Sequence, residues 1–438
     1  MNELLEKLRK YTFWSIDFLR KGDVNKFYNE IKFINENFQT PKAKILRKKG
    51  LNNILLHAVN TTKYYSYLKN NPSLSVEMFP VVHKDTIRDH YEDFYSSEYK
   101  DKQNIKVSTS GSTGTPFSIH HNKEKKQRNT ADTLYFADNA GYKLGHKLLY
   151  IRFWGDQYKK GRLNKWTQNI MVHNVFNLKD EDIKELIEKL ESDNSNINII
   201  AYASAYETIC QYLEKNNYGP IKANIHSAIA MSESLTEYAK VMTKKYFGVT
   251  PLSRYSNTEN GIIAQQNYNN TGQFDINWAS FYLEILNIDN DEPVSMGETG
   301  RIVVTDLFNY AVPMIRYDTG DLGSMSISND SDAPVLVNVE GRKSDALYNT
   351  KGELISSSIA HQVCAYDNVK QYQLIQLDKQ DYLFKLSVTN NFNLEDKLIS
   401  KFKNFVGNDA RIFIEYVNYI PLLSSGKRKR VVNEYKKA

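Results

Sequence analysis

Two cysteines among 438 residues, Cys210 and Cys364, stand too far apart in sequence to indicate a disulfide framework or a cysteine metal site. Such scarcity fits a reducing, cytoplasmic setting. Long apolar runs are also missing. No stretch approaches the ~18 uncharged apolar residues that a membrane span needs. The opening MNELLEKLRKYTFWSIDFLRKGD is broken by charge every few residues, so neither a signal peptide nor a span is expected. One-sided charge is lacking: the formal +6 is small for this length, and no helix-turn-helix, zinc-finger or RNA-binding motif accompanies it. Nucleic acid is therefore not an expected partner. Nor is there a G-x-x-x-x-G-K-[ST] loop, because Gly426-Lys427 has Pro421 where the first glycine belongs and Arg428 where the hydroxyl belongs.

What is present has the balance of a soluble enzyme, 41% hydrophobic and 25% charged, with length enough for two or three domains. Leu4, Leu5, Leu8, Phe13, Trp14, Phe18 and Leu19 recur at helical spacing; a docked core helix and an interfacial membrane helix both show such a stripe. Residues 1 to about 70 read as mostly helical. From Asn104 to about Val339, β-branched runs such as KLLYIRFW, NINIIAY, NIHSAIAM and GRIVVTDL alternate with helical stretches such as KDEDIKELIEKLES. That alternation predicts an α/β architecture with crossover helices. Beyond Gly341-Arg342 the units shorten (KQYQLIQLD, DYLFKLSV, NLEDKLISKFKNFVG, ARIFIEYV), as in a small α+β domain. The expected division is 1–340, with a helical lead-in over about 1–100, followed by 341–438.

Five stretches carry candidate chemistry. STSGSTGTP, between Val107 and Phe117, is either a flexible loop or a phosphate cradle; its flanks IKV and PFSIHH look like strands, and its hydroxyls and glycines offer donors without bulk. RYSNTENG, Arg254 to Gly261, sets an aromatic face (Tyr255), a hydroxyl (Thr258) and a carboxylate (Glu259) close together. IRYDTGDLG presents Asp321 beside Gly320, either as a chain-reversing turn or as an acceptor for two ribose hydroxyls. EGRKSDALYNTKG places the fixed cationic fork of Arg342 at the domain boundary. PLLSSGKRKRVV puts Lys427 after a glycine on a short polar turn, within a basic cluster that by itself reads as a solvated tail.

In this order the five stretches resemble the adenylate-forming superfamily, which includes acyl-CoA synthetases, nonribosomal peptide adenylation domains and firefly luciferase. Within it the chain looks most like the phenylacetate–CoA ligase branch and its capsular polysaccharide biosynthesis relatives. LHAVNTTKYYSYL and FPVVHKDTIRDHYEDFYS extend the likeness into the N-terminal third. The resemblance implies a large adenylation domain with a small mobile lid. It also implies an ATP-dependent ligase that joins a carboxylic acid to AMP with release of pyrophosphate, then passes the acyl group to an acceptor, most often CoA. Ser110, Gly111, Ser112, Thr113, Gly114 and Thr115 would hold the β- and γ-phosphates. Tyr255 would cover adenine, Thr258 touch the α-phosphate and Glu259 bind Mg²⁺. Asp321 would take the ribose, with Ser232, Glu233, Ser256, Asn257 and Arg342 completing the nucleotide site. Lys427 would bridge the carboxylate and the α-phosphate during adenylation.

The acyl pocket implied by the resemblance involves Arg152, Trp154, Tyr202, Ser204, Tyr206 and Ala230. The aromatics there suit a flat apolar acid, and Arg152 suits a second carboxylate or a sugar acid. The acceptor is CoA, another thiol or an amine. The family's hinge position falls on Ser344, with Asp345 next, where an acidic residue is usual. His146 stands in GHK, where relatives carry GDK, and is expected to be an exposed loop residue. These two departures motivate the alternative of an inactive nucleotide-binding scaffold in a polysaccharide-assembly complex. Against it, Glu259, Asp321 and Lys427 are all present.

Overall fold

The charge-interrupted apolar spacing at the start of the chain does form helices: α1 (Asn2–Leu19), α2 (Asp23–Glu36) and α3 (Pro41–Thr61). Thr40 starts α3 by accepting a hydrogen bond from the Ala43 N–H, with Pro41 in the first turn, where a missing amide proton costs nothing. The apolar stripe of α1 splits in two. Phe13 and Trp14 pack on a core cluster, whereas Leu4, Leu8, Phe18 and Leu19 are exposed. After the short helices α4 (Lys84–Asp89) and α5 (Tyr91–Phe94), strands β1 (Ile105–Ser108) and β2 (Ser118–His121) pair antiparallel ahead of α6 (Lys123–Asn139).

This computed structural model describes residues 2–108, 117–154, 166, 168–269, 271–342, 346–355, 358–364, 366, 368–388 and 392–435. Its contacts divide into two units, residues 1–10, 140–253 and 340–438 in one, and 11–139 and 254–339 in the other. In the first unit, β3 (Lys147–Arg152), β4 (Ile170–Asn174), β5 (Ile197–Tyr202) and β6 (Ile225–Met231) form a parallel array in the order β4-β3-β5-β6. The run INIIAY of β5 is buried at every position, which is why it reads as continuous rather than alternating. Helices α7 (Asp180–Glu191), α8 (Ala203–Lys215) and α9 (Glu237–Phe247) follow strands β4, β5 and β6. The register Ile151–Ala201–Ala230 aligns the carboxyl ends of three strands, where open α/β sheets bind ligands.

The second unit carries most of β7 (Leu252–Asn257), then β8 (Gly261–Gln266), β9 (Phe274–Ile276), β10 (Phe281–Leu286), β11 (Gly300–Asp306), β12 (Tyr317–Ile327) and most of β13 (Pro334–Arg342). They run in the order β10-β11-β12-β13-β9-β8-β7. Gly261, which closes the β7–β8 turn at φ 105°, holds a backbone conformation that side chains rarely adopt.

Beyond Arg342 come the hairpin β14 (Leu347–Tyr348) and β15 (Leu354–Ile355), helix α10 (Ser358–Val363), then β16 (Val369–Gln376) and β17 (Asp381–Val388). Helix α11 (Glu395–Val406) precedes β18 (Arg411–Tyr416) and β19 (Val431–Asn433), and the sheet order is β18-β17-β16-β19. Leu398, Phe402 and Val406 of α11 pack on Tyr382 and Phe384, giving this segment its own core. The α/β class with a helical lead-in and a terminal α+β module is thus what the sequence predicts. Residues 340–438 share a unit with 1–10 and 140–253.

Candidate active site

In the first unit the carboxyl ends of the parallel strands gather most of the expected acyl-pocket residues. The Arg152 guanidinium lies 5.7 Å from the centre of the Tyr150 ring and 5.4 Å from that of Trp154. The Trp154 indole donates to the Tyr150 carbonyl at 3.2 Å. Tyr202 ends β5, while Ala230 and Met231 end β6. Tyr206 lies elsewhere: it is fully buried in the core, and its hydroxyl donates to the carbonyls of Ile199 and Ile229 on two adjacent strands. Its chemistry is absorbed by the scaffold.

Ser232 follows β6 at φ 73°, a left-handed conformation uncommon for a serine. That turn aims Glu233 back across the strand ends, where one carboxylate oxygen accepts from the Ser204 N–H at 2.9 Å and the other from the Arg428 N–H. Lys427 sits between Arg428 and Gly426 in a turn closed by Leu423 N–H to Lys427 carbonyl at 2.7 Å and Gly426 N–H to Leu423 carbonyl at 2.8 Å. At Gly426, φ is 75°, and a β-carbon there would stand 2.5 Å from Val175 Cγ1 and 3.6 Å from Tyr202 Cε2. Only glycine allows the turn to come this close. Arg428 and Arg430 are buried, so the basic cluster is not the solvated tail that its composition suggests.

The residues of the second unit expected to hold nucleotide form two carboxylate centres. Glu259, 1% exposed, accepts on Oε1 from Lys84 Nζ at 2.9 Å and from the Tyr317 hydroxyl at 2.8 Å. Burial alone would raise its carboxyl, but the charge and hydrogen bond of Lys84 and the Tyr317 hydroxyl together hold it below the ordinary range. His121 ends β2 and donates from Nε2 to the Glu259 carbonyl at 2.7 Å; burial, then the charge of Lys125, pushes its imidazole down to about 4. The neighbouring Thr258 is exposed at the tip of the β7–β8 turn, braced by Asn260 N–H donating to Asn257 Oδ1 at 2.7 Å. Ser256 and Asn257 are half-buried on the same strand end.

At the second centre, Tyr255 donates its hydroxyl to Asp321 Oδ2 at 2.9 Å and lies 3.2 Å from Thr319 Oγ1. Burial and then the Asp321 charge raise that hydroxyl well above its usual range, so it stays a donor. The two aspartates of RYDTGD divide here. Asp318 is buried and ion-paired to Arg301 at 2.9 Å, whereas Asp321 is half-buried within β12, where the pairing with β11 shifts register and Gly320 takes φ 78°. Arg342 is half-buried at the end of β13.

Of the STSGSTGTP stretch, Ser110 to Thr115 lie outside the described residues, as do the hinge positions Ser344 and Asp345. Its entry and exit are defined: β1 and β2 pair up to Ser108–Ser118, whose hydroxyls are 2.8 Å apart. His146 corrects an expectation. It is not an exposed loop residue but has a side chain 14% exposed, beside Glu6 and against the His226 ring, because the start of α1 covers it.

Lys84 and Tyr317 are the site residues that motif reading passed over. Lys84 belongs to FPVVHKD, quoted above only for its resemblance; Tyr317 lies inside RYDTGD, where the aspartates draw the eye. Glu259 with its one oxygen already bonded suits Mg²⁺ carried in on nucleotide phosphates, which asks for only one or two protein carboxylates. No group of three or more acidic, His or Cys side chains fit to hold a metal occurs among the described residues.

Residues 347–434 match the CapK C-terminal domain family. Over nearly its whole length the chain is similar to Protein CapK of Staphylococcus aureus, 24% identical over 457 aligned residues, covering 96% of this chain and 95% of that one. Phenylacetate-coenzyme A ligase of Aromatoleum evansii is 26% identical over 167 residues, a span of 35% of this chain and 38% of that enzyme. A solved 2-hydroxyisobutyryl-CoA ligase, in its postadenylation state with a bound acyl-AMP, shares the fold with a TM-score of 0.72 at 13% identity, over 91% of each chain. The chain is thus similar to CapK over nearly its whole length, similar to phenylacetate-coenzyme A ligase over about a third of it, and shares the fold of a solved acyl-CoA ligase.

Proposed function

We propose that the protein is an acid–thiol ligase that adenylates a small carboxylic acid with ATP and Mg²⁺ and passes the acyl group to CoA. The observation that carries this reading is the pair of carboxylate centres within one unit, Glu259 at a strand turn and Asp321 on the adjoining motif, each oriented by a buried tyrosine hydroxyl. Asp321 would accept from the ribose hydroxyls while Thr258 and the STSGSTGTP loop face phosphate oxygens. Mg²⁺ supplies charge neutralisation at the phosphates when bound. Lys427, presented by the Gly426 turn, neutralises the charge that crowds where the substrate carboxylate meets the α-phosphate. Such chemistry asks the protein mainly to position oxygens and offset charge.

Residues 341–438 act as the lid carrying Lys427, with the hinge at Ser344 and Asp345. Arg152, Trp154, Tyr202 and Ala230 line the acyl pocket, favouring a flat acid or one with a second anionic group. A role in capsule biosynthesis, with the protein in the cytoplasm, completes the proposal; the likeness to CapK supports the capsule role alone. Pyrophosphate release and hydroxylamine trapping across a panel of aromatic acids, dicarboxylic acids and sugar acids test the reading. ATP turnover that stays at background with every acid, with CoA and amine acceptors included, would favour the inactive scaffold instead.

A further inference from the structure

Helix α8 carries one acidic residue in the middle of its buried face. Glu207 is 0% exposed, flanked in sequence by Tyr206 and Thr208 in a helix whose other buried side chains are nearly all uncharged. A lone buried carboxylate requires partners, and Glu207 has more than one. Its Oε2 accepts from Arg428 Nη1 at 2.9 Å, and its Oε1 accepts from Arg430 Nη2 at 2.5 Å and from Thr236 Oγ1 at 2.7 Å. Arg428 also donates from Nε to the Ile420 carbonyl at 2.9 Å, which ties the start of the Lys427 turn to its end. Arg430 lies with its guanidinium 5.4 Å from the Tyr372 ring centre on β16. The two arginines, both directly following the turn, therefore converge on one carboxylate.

Burial alternates along the segment. Arg428 and Arg430 are buried, while Lys427 before them and Lys429 between them are only half-buried. A segment pinned at every second residue holds the intervening side chains on its other face. Glu233 adds a second tie by accepting from the Arg428 N–H, and Gly426 lets the backbone sit against Val175 and Tyr202.

We propose that Glu207 is a positioning residue: by binding Arg428 and Arg430 together it seats the Lys427 turn on the strand ends for adenylation, and release of this clamp frees the turn for acyl transfer. The proposal rests on the ligase reading above for its catalytic consequence, but the seat itself is a property of the unliganded chain. A buried ion pair of purely structural use would, when broken, weaken both half-reactions alike. A seat specific to one half-reaction would not.

The test uses full-length protein carrying Glu207→Gln, which keeps the size and the Thr236 partner but removes the charge. Arg430→Gln is the second variant, should the first fail to fold. Amide hydrogen exchange over residues 421–433 should speed at least about tenfold in the variant, with the β16–β17 core unchanged. Pyrophosphate release should fall about 30-fold or more, on the scale of a lost preorganised donor. Consumption of a chemically supplied acyl-adenylate with acceptor should stay within about twofold of the native rate or rise. Equal losses in both half-reactions, or unaltered exchange over 421–433 in a folded variant, overturn the proposal. If native protein adenylates no acid tested, the ligase reading fails, and the exchange measurement alone still decides whether Glu207 holds the turn.

Discussion

Two buried glutamates, Glu207 and Glu259, are held in opposite ways. Glu207 is bound on both oxygens, by two arginine forks and a threonine, all of them buried. Among the described residues, Glu259 is bound on Oε1 by a tyrosine hydroxyl and by Lys84, whose side chain remains 26% exposed. A guanidinium fork is rigid and forms paired hydrogen bonds, whereas an ammonium is a hydrated point charge on a flexible stem. Lys84 can withdraw towards water when another cation arrives; Arg428 and Arg430 cannot do so without exposing a buried carboxylate. The difference separates a carboxylate built to exchange its partner from one built to keep it. On the proposed reading the first serves a charge-handling site and the second positions a neighbour.

The largest expected effect sharpens that contrast by removing charge while leaving the clamp intact. Lys427→Ala keeps Glu207, Arg428 and Arg430, so the turn should stay seated and thermal unfolding should hardly move. Adenylation, followed as pyrophosphate release, should fall by on the order of 10²–10³. Transfer from a supplied acyl-adenylate should persist. Loss of neither half-reaction would remove Lys427 from the chemistry and point to Lys429 as the next residue to test.

Next in size is Glu259→Gln, which strikes the exchangeable partner. The amide still accepts from Tyr317 but offers no charge to a metal, so adenylation should drop roughly 10- to 100-fold, as for a lost hydrogen bond to a charged group. The Mg²⁺ concentration needed for half-maximal rate should rise with it. Unchanged Mg²⁺ dependence would place the metal elsewhere and undo the contrast. Asp321→Ala should cost less: a rise in the apparent KM for ATP of about tenfold with kcat little altered, because ribose contacts are made in ground and transition states alike. A change confined to kcat would contradict the ribose role.

Much of this was legible in the sequence, and what was not has a physical reason. The parallel strands announce themselves as apolar runs such as INIIAY, and Glu259 and Asp321 stand within short turn-forming motifs whose local chemistry is visible. Glu207 and Lys84 carry no such signal. Each sits in a helical stretch with no motif around it, and what defines it is a partner distant in sequence; Glu207 and Arg428 are 221 residues apart. The basic cluster near the end misleads for the same reason, since composition reports charge but not the carboxylate waiting for it. Tyr206 errs the other way: an aromatic among pocket-like residues proves to be core, because helical phase turns it under the sheet rather than towards its open end.

The smallest effect, and the most direct test of exchangeability, comes from Lys84→Met. In the native protein burial works to raise the Glu259 carboxyl, and Lys84 with Tyr317 outweighs it, so the folded value lies below the ordinary 4.5. A carboxyl depressed on folding contributes stability that is present above pH 4.5 and lost as the pH falls through the lower folded value. Without Lys84 the balance tips towards burial, and the carboxyl moves up. The folded variant then binds a proton more readily than the unfolded chain, so its stability should decline as pH rises, the reverse of the native trend. The variant should be less stable than the native protein by about 1–3 kcal/mol at pH 7, and the gap should narrow as the pH is lowered towards 5. Added Mg²⁺ with ATP should also raise the variant's Tm more than the native protein's, because the divalent ion supplies the charge that Lys84 no longer brings. Thermal unfolding at pH 5 and pH 8, with and without MgATP, reads both effects. If the gap is the same at both pH values and MgATP stabilises the two proteins equally, Lys84 is a fixed partner of Glu259, and the two glutamates do not differ in kind.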